Sequence, residues 1–506
     1  MSAEIINPDT EESGKRGFIT LSVMLATIMQ ALDTTIANVA LPHMRGAMNA
    51  TQDQISWVLT SYIVASAIAM PLTALLAARM GRKKLFIYSV IGFTLTSVLC
   101  GAAQSLDQIV IFRLLQGIFG ASLVPLSQSV LLDTYPPKQH GSAMAMWGVG
   151  VMVGPILGPS LGGWLTEYYN WRWVFYINVP FGMLACFGIA TFVKETKLDP
   201  TRYFDLFGFT LLAIAIGSLQ MFLDRGESQN WFSSTEIVIE AAMAAIALYM
   251  FVVHMFTSKS APFLDPKMFT DKNFVIGLLF AFMMGVILLA TMALLPPFLQ
   301  NLMGYPVLDV GLLLSPRGFG TMVGMMIVGR LVNKVDLRFL ITIGLALMII
   351  SLWEMTQFAV DISDWDIIST GIVQGLGLGL IFVPLSTLTF STLAPHYRNE
   401  GTALYSLIRN IGSSIGISVV VTYLAHRTQI NHAAYSEYIT PFNTALNDAV
   451  TKGVYDTGST AGLVSLNSEV TIQASILGYL QDFYLMMFVC MAMIPLLLLL
   501  RRPDYR

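Results

Sequence analysis

Fourteen apolar runs of 19 to 26 residues, separated by shorter polar stretches, divide this chain. An α-helix rises about 1.5 Å per residue, so roughly 20 apolar residues cross the hydrocarbon core of a bilayer. On that scale the runs predict membrane-spanning helices at 17–41, 53–77, 84–105, 107–132, 141–166, 173–193, 206–224, 235–257, 273–298, 308–333, 339–360, 366–391, 401–425 and 479–500. The pattern therefore predicts an all-α integral membrane protein with fourteen transmembrane helices. The longest polar interval, 425–478, is rich in Asn, Ser, Thr and Tyr and reads as a solvated, partly helical excursion. Residues 1–16 are polar, and the run after them lacks a small-residue cleavage site, so helix one is expected to stay in the mature protein.

Composition agrees with the pattern. Of 506 residues 55% are apolar and 12% charged, against about 25% charged in an ordinary soluble domain. A net charge of −3 suggests no nucleic-acid partner. Cys100, Cys186 and Cys490 lie in separate apolar runs, without the spacing of a metal site or a disulfide framework. The basic residues set the orientation: with the N-terminus inside, nineteen Lys and Arg fall in inner segments and five (Arg45, Arg172, Arg225, Arg427 and Lys452) in outer ones. That bias predicts both termini in the cytoplasm and places 425–478 outside.

A repeat divides the chain further. Residues 115–127 read LQGIFGASLVPLS and 373–386 read VQGLGLGLIFVPLS, an offset of 258 to 259, and Gly141-Ser142-Ala143 recurs as Gly401-Thr402-Ala403. Helix four thus matches helix twelve. An offset of eight helices implies two six-helix halves with two inserted helices: a cytoplasmic tail (1–16), an N-terminal half (17–198), the inserted pair (199–260) and a C-terminal half (261–506) that includes the outer loop 425–478. Parallel repeats of this kind place a substrate site between the halves, which alternate by rocking.

Chemistry enters at helix one. Between Gly17 and Leu41 the only ionisable residue is Asp33. A charged Asp at the bilayer centre costs about 2.5–3.5 kcal/mol on insertion scales, so it reads as a pathway or proton site, against a packing Asp satisfied by a neighbouring helix. Arg113, six residues into helix four, stays charged and needs polar partners; sensing a carboxylate or relaying a proton suits it. The loop after helix two, Arg79-Met80-Gly81-Arg82-Lys83-Lys84, joins a turn-forming glycine to cations, as a gating latch would, with Gly81, Arg82 and Lys83 at its centre; a plain positive-inside cluster would look similar. Helix five carries Gly150, Gly154-Pro155, Gly158-Pro159 and Gly162-Gly163, glycines four apart that let another helix approach closely. Glu354 in helix eleven is a possible second acid; Arg317 and Arg409 could attract anionic substrates or lock helix ends. No nucleophile–base pair or metal-ligand cluster argues for an enzyme.

These stretches together (LDTTIANVALP in helix one, the Gly-Arg-Lys-Lys loop, RLLQG, GPILGPSLGG, and WRWVFYINVP opening helix six) resemble the major facilitator superfamily, most closely its fourteen-helix drug:proton antiporter branch of EmrB-type multidrug exporters. Ala78 stands where that family's loop usually carries an Asp. The resemblance implies a proton-coupled antiporter exporting hydrophobic or amphiphilic compounds, driven by the proton gradient without a cofactor. Within it Asp33 would be the coupling acid, Arg113 would support proton transfer, and Gly154 and Pro155 would belong to the antiporter motif. It also implies a bacterial inner membrane and, as partners, a periplasmic adaptor and an outer-membrane channel. A cavity lined by helices 1, 2, 4, 5, 9, 10, 12 and 13 would offer Asn38, Gln116, Phe280, Met284, Gln374 and Arg409 to substrate. Proton symport of a nutrient, or a non-transporting receptor, are the alternatives.

Overall fold

The computed structural model describes residues 8–136, 139–196, 198–199, 204–258, 262–332, 334–440, 442–451 and 459–500. Residues 1–7 of the expected tail, and Lys138, Lys197, Arg202, Lys259, Lys452, Arg501, Arg502 and Arg506 of the charge asymmetry, lie outside the described residues. Among the described residues the chain is helical, with no strand. The first part holds α1 (Pro8–Ala47), α2 (Gln52–Ala69), α3 (Leu72–Met80), α4 (Arg82–Ala102), α5 (Leu106–Gly120), α6 (Leu123–Thr134), α7 (His140–Tyr168), α8 (Trp173–Tyr176) and α9 (Asn178–Phe192). Two helices follow, α10 (Leu206–Arg225) and α11 (Thr235–Thr257). The last part holds α12 (Lys272–Pro297), α13 (Val307–Leu331), α14 (Leu337–Met355), α15 (Asp364–Ser391), α16 (Arg398–Ser436), α17 (Thr444–Thr451) and α18 (Thr460–Met493).

Thirteen helical stretches among the described residues are long and apolar enough to cross a membrane, and α2 with α3 forms a fourteenth bent by 58°. This is a multi-pass membrane protein. Polar side chains cap the spans where backbone N–H groups lack partners: Thr51 and Gln54 form a reciprocal capping box on α2, and Ser105, Asp271, Asp336 and Ser363 cap α5, α12, α14 and α15. The bend in the second span falls at Pro71, which lacks an N–H and crowds the preceding turn.

Several expected boundaries move. The tail is helical from Pro8 onward, so α1 extends nine residues below the expected span. The outer excursion is mostly helix: α16 continues to Ser436, α17 occupies Thr444–Thr451, and α18 starts at Thr460. The partly helical character expected of this region is thus present, and what moves is the extent of the flanking helices.

Helix α10 touches both parts. Gln220 on α10 donates to Ser414 on α16 (2.7 Å), and Thr60 on α2 donates to Asp224 at the end of α10. Along the centre, α7 packs on α1 on one side and on α13 on the other. Ser315 donates to the Ile156 carbonyl (3.4 Å), and Gly318 leaves room for the Ile156 side chain. The parts are also clasped at the end that carries the basic loops. Arg398 at the start of α16 donates to Asp133 on α6 (2.8 Å), Ser129 to Asn399 (2.5 Å), and Ser142 to the Gly329 carbonyl (3.0 Å).

Candidate functional site

Asp33 sits on α1 with 0% of its surface exposed, and Arg113 on α5 with 1%. The Arg113 Nη1 donates to Asp33 Oδ2 at 2.6 Å and to Gln116 Oε1 at 2.9 Å, while its Nε donates to the Val58 carbonyl at 3.1 Å. The second carboxylate oxygen, Oδ1, accepts from Gln116 Nε2 (2.9 Å) and Asn178 Nδ2 (2.8 Å). Asn178 is in turn hydrogen-bonded to Ser97 (2.9 Å), which donates to the Phe175 carbonyl (2.8 Å). Tyr62 and Phe175 cover the guanidinium with their rings, 4.3 and 5.7 Å from it. Groups from six helices, α1, α2, α4, α5, α8 and α9, thus build the cluster around one carboxylate.

The chemistry of the cluster follows from its charge. A buried ion pair is tolerable only when further hydrogen bonds satisfy both partners, and here the carboxylate accepts three. Transferring a proton to Asp33 removes its charge and leaves Arg113 as an unpaired buried cation.

Helix five, α7, lies directly against this acid's helix. A Cβ on Gly154 would stand 2.6 Å from Ala31, one on Gly150 2.7 Å from Met24, and one on Gly162 3.3 Å from Ile36. At Gly158 it would collide with the Thr35 hydroxyl, and Thr35 itself donates to the Gly154 carbonyl (3.2 Å). Four of the five glycines of the stripe face α1. Gly163 meets nothing within 4 Å and is no part of the contact. Pro159 and Ile156 face the other way, toward Gly311 and Gly318 of α13, and mark the side of α7 turned to the second part.

The basic loop closes on acids from elsewhere. Gly81 has φ +93, a conformation side-chain-bearing residues rarely adopt, and a Cβ there would run into the Glu195 carboxylate. Glu195 accepts from the backbone N–H of Lys83 (3.0 Å) and Lys84 (3.2 Å), Thr196 accepts from Arg82 N (3.1 Å), and Asp199 N donates to the Ala78 carbonyl (2.8 Å). The Arg82 side chain reaches Asp133 at 2.5 Å, the same carboxylate that Arg398 of the last part holds. Two acids from outside the loop, Glu195 and Asp133, thus meet its backbone and its arginine.

Other candidates scatter. Gln116 joins Asp33 instead of a cavity; Phe280 and Met284 are buried in packed core; Asn38 is exposed. Gln374 is fully buried with neither polar side-chain atom hydrogen-bonded. Arg409 is half-buried, 5.8 Å from the Phe382 ring. Glu354 is half-buried one residue before the end of α14. A cavity of about 700 Å³ lies elsewhere, between α10, α11, α12 and α16, with Leu212, Phe222, Ala244, Phe251, Leu278 and Ile411 on its wall. Sequence reasoning missed Asn178, Ser97 and Tyr62 around Asp33, Asp133 at the clasp, and the fully buried Asp482 on α18. Asp482 was findable as an acid only three residues inside the last apolar run.

The family model for the Major Facilitator Superfamily matches residues 23–417. The chain is 35% identical over 493 residues to the fatty acid resistance protein FarB of Neisseria gonorrhoeae, covering 96% of both. It is 37% identical over 435 residues to the multidrug export protein EmrB of Escherichia coli K12, covering 85% of both. Among solved structures it resembles the proton:xylose symporter XylE (TM-score 0.61, 13% identity, 96% of this chain and 97% of that one). It also resembles the human organic anion transporter MFSD10 (TM-score 0.58, 13% identity, 94% and 99%). At that identity the likeness concerns the fold.

Proposed function

This chain belongs to the Major Facilitator Superfamily, in its EmrB-type branch, and from that premise we propose that it exports hydrophobic or amphiphilic compounds in exchange for protons. The observation that carries the proton half of this reading is the fully buried Asp33–Arg113 pair, 2.6 Å apart, on a helix seated against the glycine stripe of α7. The export half rests on the relatives named for multidrug export and fatty acid resistance.

In the proposed cycle a proton reaching Asp33 Oδ2 breaks the bond from Arg113 Nη1, and Arg113 keeps its bonds to Gln116 and the Val58 carbonyl. The neutral carboxyl then carries an O–H where it accepted, which the donor-only guanidinium cannot receive, so the two groups part and α1 and α7 can shift along the glycine contact. Loss of the proton toward the cytoplasm restores the pair. The clasp of Arg82, Asp133 and Arg398 holds the basic-loop end shut in one half of the cycle and must part in the other. On this reading the basic loops and both termini face the cytoplasm of a bacterial inner membrane. The helical hairpin of α16 to α18 extends outward, where a periplasmic adaptor, and through it an outer-membrane channel, could dock.

Purified protein in liposomes with an imposed pH gradient tests the assignment. Wild type is expected to accumulate an amphiphilic dye against its gradient and Asp33→Asn to lose that accumulation; accumulation undiminished in Asp33→Asn refutes the role of the acid. Transport in the direction of proton flow would replace export by symport.

A further inference from the structure

Helices α10 and α11 stand with the first part of the chain, and a slot separates them from the second. Helix α11 packs on α10, and α10 packs on α2, where Gly217 leaves room for the Ile68 side chain and Thr60 donates to Asp224. Toward α16 the pair makes one side-chain hydrogen bond among the described residues, from Gln220 to Ser414 at 2.7 Å. Between them lies the cavity of about 700 Å³, and every residue on its wall is apolar. Along α11 it runs from Ala241 to Phe256, roughly 22 Å at about 1.5 Å per residue, against a hydrocarbon core about 30 Å thick. Leu248, Val252 and Phe256 line it and are themselves exposed, so the slot opens sideways, toward the bilayer. Water held in a cavity needs roughly two to four polar partners. The slot offers none, which leaves apolar chains to fill it.

At the end that carries the basic loops, the slot runs into a second cavity of about 720 Å³. Met255, Phe256, Leu264, Leu404 and Leu407 line both. The second chamber is polar, with Asp199, Asp265, Lys267, His396, Tyr397 and Glu400 on its wall. Asp265 is fixed in place by the Tyr397 hydroxyl, which donates to Oδ2 at 2.6 Å, and by the Lys267 backbone N–H, which donates to Oδ1 at 3.0 Å. An ionised carboxylate has about four acceptor sites, so Asp265 can receive further donors. Three carboxylates here face one lysine and one histidine. That balance repels an anionic head group and matches a zwitterion whose phosphate lies toward Lys267 and whose ammonium lies toward the acids.

We propose that the two chambers together seat one phospholipid with an ethanolamine head group, an acyl chain lying in the slot and the ammonium among Asp199, Asp265 and Glu400. A primary ammonium brings three N–H donors to those carboxylates, and a trimethylated choline brings none. The seat stands on these walls and goes beyond the export reading. Under that reading it also has a use: when the two parts rock, α12 and α16 move against an inserted pair held by α2, and a fluid chain fills the slot at either width.

The test is photo-crosslinking in nanodiscs of phosphatidylcholine doped with diazirine-tagged phospholipids bearing ethanolamine, choline or glycerol head groups, with the labelled peptides mapped by mass spectrometry. In wild type the ethanolamine lipid is expected to label α10, α11, α12 and α16 severalfold more than the other two. Ala244→Trp, which fills the slot, should lose most of that labelling, whereas Ile246→Trp, on the exposed side of α11, should keep it. Lys267→Gln, at an exposed position, should bring the ethanolamine lipid down toward the choline level. If Ala244→Trp does not fold, the head-group comparison in wild type and in Lys267→Gln still decides. Equal labelling with all three head groups, or equal loss in Ala244→Trp and Ile246→Trp, reduces the slot to ordinary bilayer contact and overturns the seat. Preference for the glycerol head group overturns the charge assignment and the proposal with it. Displacement of the label by an excess of an exported dye overturns residence and makes the slot a cargo path. Export is scored separately in liposomes: its absence with the ethanolamine label intact sinks the function proposed above and leaves this seat standing.

Discussion

Replacing Asp33 by Asn keeps the size of the side chain and one acceptor oxygen, removes the charge, and turns the other oxygen into an NH2 donor. Arg113 is then left with a full positive charge at 1% exposure. Two unit charges about 4 Å apart at an effective dielectric constant near 20 attract by roughly 4 kcal/mol, and removing one partner of a buried pair costs about 3–5 kcal/mol because the other is stranded. Asp33→Asn and Arg113→Gln should each cost that much, since the pair is 2.6 Å apart and sealed beneath Tyr62. The double variant strands no charge. It should therefore cost no more than either single change, a coupling of at least about 3 kcal/mol. The assay is thermal unfolding in detergent, followed by a thiol-reactive dye at Cys100 and Cys490, which are buried in the native fold. Each single variant should unfold several degrees below wild type, with the double at or above the singles. Additive losses, or singles within about 0.5 kcal/mol of wild type, would show that Arg113 does not depend on Asp33.

Further expectations follow from the geometry on either side of that pair. Gly158→Val puts a branched side chain into the Thr35 hydroxyl; it should abolish gradient-driven transport, whereas Gly163→Val, which meets open space, should retain most of it. Asp133→Asn releases Arg82 and Arg398 together and should raise alkylation of a cysteine placed at Asn399 severalfold, a rise that Arg398→Gln alone should reproduce in part; unchanged labelling would mean the clasp is held elsewhere. The Tyr397 hydroxyl donates to Asp265 at 2.6 Å, and that bond, with burial, pushes its pKa from 10.0 up to about 12. A folded-state value above the unfolded one means the contribution to stability is complete below pH 10 and lost as pH rises through 12, so Tyr397→Phe should remove a chromophore that ionises near pH 12 in an absorbance titration, and not one near 10.

The spans were legible because apolar runs of the right length have few other readings, and the two matched Gln-Gly…Val-Pro-Leu-Ser stretches showed which helices correspond. Breaks inside spans were less visible: Pro71 bends the second span, although Pro155 and Pro159 sit inside the continuous helix α7. The difference lies in packing against α1 and α13, which local sequence does not encode. Asp33 and Arg113 stood out individually as ions in apolar surroundings. Their partners did not, since Tyr62, Ser97 and Asn178 are ordinary polar residues whose roles come from helix crossings with the chain 29, 64 and 145 residues beyond Asp33. Ala78 illustrates the same limit. The loop lacks its acid in sequence, yet Glu195 meets the backbone of Lys83 and Lys84, and Asp133 joins Arg82 to Arg398.

Proton coupling through Asp33 is measured most directly by separating driven transport from passive exchange in one liposome preparation. In wild type, an imposed pH gradient should drive accumulation of substrate, and preloaded substrate should exchange in counterflow without any gradient. If Asp33 couples the proton, accumulation and the accompanying proton flux vanish in Asp33→Asn while counterflow survives, because the substrate site and the rocking of the two halves remain. Accumulation with undiminished proton flux in Asp33→Asn would contradict it.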